Sequence, residues 1–272
     1  MKTGLALGLC GLVTASGGCA DETVRPEPAL GTLDLRAAMQ TTSDISPVGL
    51  AIAPDGKRFV FEETAGLYRL DGDVAVAVVP MSAMPDPGPT AQIKLPFTDL
   101  VAISPNVFAL TAIGDGYFLD TSAMTLQQRF CYLPEGTPVS LTQRTDGIAY
   151  DAANAKLYAQ PVTYDAAGVF QYAQVAGYEL ETGNDVEWFT TGNDVAATGM
   201  IVIPEVGLVL GQGSRLTRFD KATSQSILLD DLERFGVRSI DGLAIDAAAG
   251  TLVVVDKATD TVFDIELARI TL

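Results

Sequence analysis

Three aspartates precede short apolar runs at similar spacing along the chain: Asp99 in TDLVAIS, Asp146 in TDGIAYD and Asp241 in IDGLAID. Carboxylates gathered at one opening repel each other unless a cation, protons or water dipoles compensate, and oxygen ligands suit Ca2+ or Mg2+. Asp99, Asp146 and Asp241 are therefore candidate metal ligands, with Ca2+ as the ion. Aspartate beside glycine also accepts backbone N–H bonds in ordinary turns, so a purely structural role stands as the alternative. Further carboxylates expected on the same face are Glu62, Glu63, Asp115, Asp165 and Asp256.

Other chemistry is largely excluded. The chain has 0 histidines, which removes imidazole bases, Ser-His-Asp and Cys-His nucleophile systems, and nitrogen-ligated metal sites. Ser214 in GQGSRL has no base to activate it and no G-x-S-x-G elbow around it. LDGDVAV lacks the remaining ligands of a calcium loop, and no glycine-rich phosphate cradle is present. No catalytic residue is assigned. A formal net charge of -17, from 17 basic and 34 acidic residues, argues against nucleic acid as a partner. Of the three cysteines, Cys131 in RFCYL reads as a buried small hydrophobe, and Cys10 and Cys19 fall in the first twenty residues.

That leading segment reads as an address. MKTGLALGLCGLVTASGGCA has a basic Lys2, an apolar run from Leu5 to Val13 too short to span a bilayer, and small residues leading to Cys19. SGGC resembles the lipobox of bacterial lipoproteins, with Ser16 where that family usually has leucine. The resemblance implies a signal peptide over 1–18 and fatty acylation (palmitate) of Cys19. It also implies outer-membrane sorting, since Ala20 rather than aspartate follows the cysteine. Ordinary cleavage, giving an exported soluble protein, is the alternative. Residues 19–31, charged and proline-bearing, are expected to tether a folded domain over 32–272 to the envelope.

The domain is written as a repeat. PVGLAIA (47–53), TDLVAIS (98–104), TDGIAYD (145–151), ATGMIVI (197–203) and IDGLAID (240–246) align without gaps and recur every 43 to 52 residues. That period is expected of propeller blades. Each segment leads through a turn into alternating apolar runs, such as RFVFEE, GLYRLDGD and VAVAVVP after the first. The fold class expected is all-β: a β-propeller of four-stranded blades, five in number, or six if residues 80–98 hide another unit rather than a proline-rich loop. GTLDLRAAM (31–39) has no blade of its own, and the last blade lacks an outer strand, so an N-terminal strand is expected to close the ring. The residue before each innermost strand should line one channel mouth: Val48, Asp99, Asp146, Thr198 and Asp241.

The repeats resemble NHL, YVTN and gluconolactonase-like (SMP-type) propellers, which carry DGLAVD-like inner strands. In gluconolactonase-like enzymes a Glu, an Asn and an Asp before inner strands hold a metal. By that resemblance Asp241 matches the aspartate, Asp146 stands where asparagine is common, and Val48 occupies the glutamate's place. The expected function is a noncatalytic binding or scaffold module for an envelope protein, peptide or glycan. The alternative is a Ca2+-dependent lactonase-like hydrolase.

Overall fold

The computed structural model describes residues 26–87, 96–131, 143–165, 167–191 and 196–272, with backbone alone at 131 and 143. The expected signal segment, Cys10, Cys19 and residues 21–25 of the expected tether lie outside the described residues, as does the Cys131 side chain. Strand β1 (Gly31–Asp34) precedes the first blade, formed by β2 (Pro47–Ile52), β3 (Arg58–Glu62), β4 (Gly66–Asp71) and β5 (Val74–Pro80). The second has β6 (Phe97–Ala102), β7 (Val107–Ala112), β8 (Asp115–Asp120) and β9 (Thr125–Cys131). The third has β10 (Gln143–Asp151), β11 (Lys156–Tyr164), β12 (Phe170–Glu179) and β13 (Asp185–Thr190). The fourth has β14 (Gly199–Ile203), β15 (Gly207–Gln212), β16 (Arg215–Asp220) and β17 (Gln225–Asp231). The last has β18 (Ile240–Asp246), β19 (Thr251–Asp256) and β20 (Thr261–Glu266), completed by β1 in the order β1-β20-β19-β18. All five sheets are antiparallel and four-stranded, so the protein is an all-β propeller of five blades.

Ring closure follows the expectation in kind and differs in extent. GTLD pairs with β20, Gly31 opposite Asp264 and Asp34 opposite Thr261. The next residues, LRAA, leave the sheet as a single helical turn, α1 (Leu35–Ala38). Leucine, arginine and alanine are good helix formers, and the Asp34 side chain caps the turn by accepting from the Ala37 N–H at 3.0 Å. Of the 80–98 segment, Met81–Ala83 form a 3-10 turn and 88–95 lie outside the described residues.

The core divides by blade interface. Phe59, Phe61, Phe97, Phe108 and Tyr117 fill the space between the first two blades. Edge-to-face pairs hold them: Phe59–Phe108 at 4.7 Å and Phe61–Phe97 at 5.3 Å. Comparable clusters join each following pair, and Leu35, Leu50, Val60, Val253, Val255 and Val262 seal the last blade against the first. Each blade thus buries its faces only against its neighbours, and the seam that β1 and α1 complete carries the same kind of packing as the others. Arg58 adds an electrostatic clip across that seam, reaching Asp246 at 2.9 Å and Asp264 at 2.8 Å.

Leu35 is fully buried in the seam, while nearby Leu30 is 60% exposed. Leu35→Ala is expected to destabilise the fold by about 2–5 kcal/mol and Leu30→Ala by no more than about 0.5 kcal/mol, read from urea unfolding midpoints. Equal midpoints for the two variants would mean that the seam does not limit stability.

Candidate functional site at the channel mouth

The first strand of each blade lies innermost and starts at one face of the ring, here called the mouth. Loops between second and third strands open on that face too. Four of the inner strands begin with a β-bulge, between Pro47 and Gly49, Phe97 and Asp99, Thr145 and Ile148, and Ile240 and Gly242. A bulge adds a residue that the partner strand does not match and re-aims its side chain.

Just inside the bulge the inner strands touch. A Cβ added to Gly242 would lie 2.6 Å from the Leu50 nitrogen, and one added to Gly49 would lie 2.7 Å from the Leu100 nitrogen. A Cβ on Gly199 would lie 3.3 Å from the Gly242 backbone, and one on Gly147 would lie 2.7 Å from the Met200 side chain. Only residues without a side chain allow backbones so close.

Strand register corrects the gapless alignment in the second blade. Leu100 pairs with Leu110 as Leu50 pairs with Val60 and Leu243 with Val254, so Asp99 takes the glycine position and Thr98 the position aligned with Asp146 and Asp241. The threonines confirm this equivalence: Thr98 Oγ1 donates to the Thr145 carbonyl of the next blade, and Thr198 Oγ1 to the Ile240 carbonyl of its next blade. The mouth ring is therefore Val48, Thr98, Asp146, Thr198 and Asp241. Asp99 sits one step deeper. With no glycine in that inner strand, the Asp99 carboxylate takes the place of a backbone-to-backbone contact and accepts from Leu100 N at 2.8 Å and Ile148 N at 2.9 Å. Burial pushes its pKa well above the usual carboxylate range, opposed by those two N–H donors and reinforced by Asp241 and Asp146.

The two mouth aspartates each hold a residue two positions earlier on the same strand. Asp146 accepts from Arg144 Nε and, at 3.1 Å, from the Tyr164 hydroxyl. Burial raises the pKa of Asp146, and the Arg144 charge works against that rise. Burial, with the Asp146 charge adding to it, pushes the Tyr164 phenol up to about 12. Asp241 accepts from Ser239 Oγ at 3.0 Å. Burial pushes it up to about 6, against the pull of Ser239 and Lys257.

The other nominated carboxylates divide by role. Glu62 and Asp256 are equivalent latches on the loops that enter the inner strands. Glu62 accepts from Ser46 N at 2.8 Å and Thr64 N at 2.8 Å; Asp256 accepts from Ser239 N at 3.1 Å and Ala258 N at 2.8 Å. Asp115 accepts from Gln128 Nε2 at 2.7 Å, and Asp165 closes its own turn through Ala167 N and Val169 N. Glu63 accepts from Ser46 Oγ at 2.9 Å and lies close enough to Arg144 to act on its charge.

Asp99, Asp146 and Asp241 are thus brought within electrostatic reach of one another, but their compensation comes from backbone N–H groups, Arg144 and Lys257. Among the described residues no group of three or more carboxylate or thiol side chains is arranged to hold a metal ion. Arg144, Tyr164, Ser239 and Lys257 were not nominated from sequence. The signal available was the shared spacing of RTD and SID, which puts Arg144 and Ser239 on the same side of a strand as the aspartate that follows.

A carboxyl group whose folded pKa is raised binds its proton more tightly in the folded state. Its contribution to stability is therefore fully present below about pH 4 and falls as pH rises through about 6. Asp241→Asn keeps an acceptor for Ser239 and removes that dependence. The variant is expected to be more stable than wild type at pH 7.5, by on the order of 1–3 kcal/mol, with the difference closing at pH 4. Urea melts at the two pH values measure this; a pH-independent difference would contradict it.

No protein-family model matches the chain, and no curated protein matches it by sequence. Solved structures do. A gluconolactonase from Xanthomonas campestris superposes with TM-score 0.51 at 14% identity, covering 80% of this chain and 71% of that one. Sqt1 from Saccharomyces cerevisiae gives TM-score 0.40 at 8% identity over 77% of this chain and 55% of its own. A chain of the mitotic checkpoint complex gives 0.45 at 11% identity over 98% and 99%. At these identities the likeness to the gluconolactonase is one of fold: a β-propeller with a distant gluconolactonase-like neighbour.

Proposed function

We propose that this chain is an exported envelope protein, anchored through acylated Cys19 to the outer membrane, whose propeller is a noncatalytic binding module for a protein, peptide or glycan. The observation that carries the binding role is the state of Arg144. Its guanidinium is oriented by Asp146, yet the side chain is 46% exposed at the mouth. A guanidinium held in place on one edge offers its remaining N–H groups to a ligand carboxylate or hydroxyl with little ordering cost. Tyr164 and Glu63 lie within electrostatic reach of it. The address rests on the apolar run and SGGC sequence ahead of Ala20.

The competing reading, a Ca2+-dependent lactonase-like hydrolase, would need Asp99, Asp146 and Asp241 as ligands. Each is bonded to donors of its own chain, and Asp99 is sealed in the throat. A metal would have to displace Arg144 and break the Asp99 link between blades.

Two measurements test the proposal. Ligands captured on peptide and glycan arrays are expected to lose at least about tenfold in affinity with Arg144→Ala, the loss of a charge-assisted hydrogen bond. Lactone hydrolysis assayed with and without Ca2+ is expected to show no metal-dependent turnover. Turnover that requires Ca2+ and vanishes in Asp241→Ala would replace the binding reading with the enzymatic one. Intact mass of the membrane-extracted protein should show fatty acyl groups on Cys19, and Cys19→Ser should release the chain from membranes.

A further inference from the structure

The inner strands run from the mouth toward the opposite face, and near their far ends they surround a second feature of the axis. Two residues beyond Leu50, Leu100, Ile148, Met200 and Leu243 stand Ile52, Ala102, Tyr150, Val202 and Ile245, one from each blade. Four of these five stay partly exposed although they belong to the most buried strands of the ring; only Ala102 is buried. They form a collar around a well of about 190 Å³, whose deeper wall includes Leu50, Met200 and Leu243. Among the described residues no charged side chain lines it, in a chain that carries 34 acidic and 17 basic residues. The carboxylates that follow the collar in sequence are engaged elsewhere. Asp151 accepts from Ala153 N and Asn154 N, both at 3.1 Å, and Asp246 accepts from Arg58 at 2.9 Å.

Polar groups in the well are neutral ones. Each inner strand is the terminal strand of its sheet, so its axial edge presents backbone N–H and C=O groups without a strand partner. Tyr150 is the one collar residue with a polar side chain, and its hydroxyl has no hydrogen-bond partner among the described residues. A neutral ligand with a single hydroxyl matches such a lining, whereas an ion would be desolvated with no opposite charge to meet it. Size restricts the ligand further. An apolar cavity of about 150 Å³ holds one benzene ring, and sites for drug-sized ligands start at about 300 Å³. The Met200 thioether and the Tyr150 ring favour an aromatic occupant over a branched aliphatic one.

We propose that this axial well is a binding site for a small uncharged phenol: one ring, a short alkyl substituent and one hydroxyl. The ring sits within the aliphatic wall, and its hydroxyl meets the backbone edge or Tyr150. This site is separate from the mouth, at the other end of the inner strands.

Nuclear magnetic resonance of protein carrying isotope-labelled methionine methyls tests the site, with p-cresol as ligand. The Met200 methyl, assigned through Met200→Leu, is expected to shift on titration and to saturate with a dissociation constant below about 1 mM. Para-hydroxybenzoate, which has a carboxylate where p-cresol has its methyl, is expected to bind at least about tenfold more weakly. Val202→Phe, on the partly exposed collar, fills the well and is expected to weaken p-cresol at least about tenfold. Val202→Ala enlarges the well and is expected to gain naphthol binding by at least about tenfold over wild type. An unmoved Met200 methyl overturns the proposal, as do equal affinities for the two phenols, undiminished p-cresol binding in folded Val202→Phe protein, or no gain of naphthol in Val202→Ala. Because Met200 reports from the axis rather than from the mouth, the result is independent of any role of Arg144.

Discussion

The structure depends on how closely five inner strands approach the axis. At Gly49 and Gly242 there is no room for a methyl group, because the backbone of the next blade's inner strand occupies the space a Cβ would need, and Gly199 approaches the Gly242 backbone nearly as closely. That contact sets the radius of the ring, and the radius fixes what the blade interfaces must fill. Small inner residues and large aromatic or aliphatic ones further out follow from one geometry, in which wedge-shaped gaps widen away from the axis. A side chain at Gly49 or Gly242 would push neighbouring blades apart, so a local clash there would be felt across the blade interface.

Polar links repeat on the same radius. Thr98 and Thr198 each tie the mouth end of one inner strand to the carbonyl of the next, while Glu62 and Asp256 gather the N–H groups of the loops that enter those strands. Backbone groups near the axis have few partners within their own sheet where a bulge interrupts pairing, and unpaired buried donors are costly. The acidity of this face is accordingly less a sign of chemistry than it looks from composition. Much of it satisfies backbone donors in the loops, leaving the oriented Arg144 and the mouth aspartates as the groups able to address something else.

Blade number, strand order and ring closure were legible in the sequence because they rest on a periodic signal: a glycine-led apolar segment followed by turns and alternating runs. The one repeat without glycine was also the one misaligned. TDLVAIS matches TDGIAYD letter by letter, yet FTDL is the stretch that matches in register, and the difference moved Asp99 from the mouth to the throat. A residue that substitutes a carboxylate for close backbone contact carries no signature in spacing alone. LRAA was absorbed into the closing strand for a related reason, since four residues are too few to show a helical period and their departure from the sheet depends on the cap at Asp34. Arg144 has no signature of its own, since a lone arginine two residues before an aspartate shows its pairing only once the strand places both on one side.

Asp99 also decides what kind of channel this is. Beyond the glycine layer the axis opens into an apolar well of about 190 Å³, lined by residues such as Leu50, Val101, Met200 and Leu243. On the mouth side stand Arg144, Asp146, Tyr164 and Asp241. Between them the backbones meet, and the carboxylate of Asp99 closes the remaining gap by bonding to Ile148. The side chains of the well are mainly aliphatic, whereas those at the mouth are charged or phenolic. The proposed recognition at the mouth would therefore be a property of one face of the ring and of the loops around it.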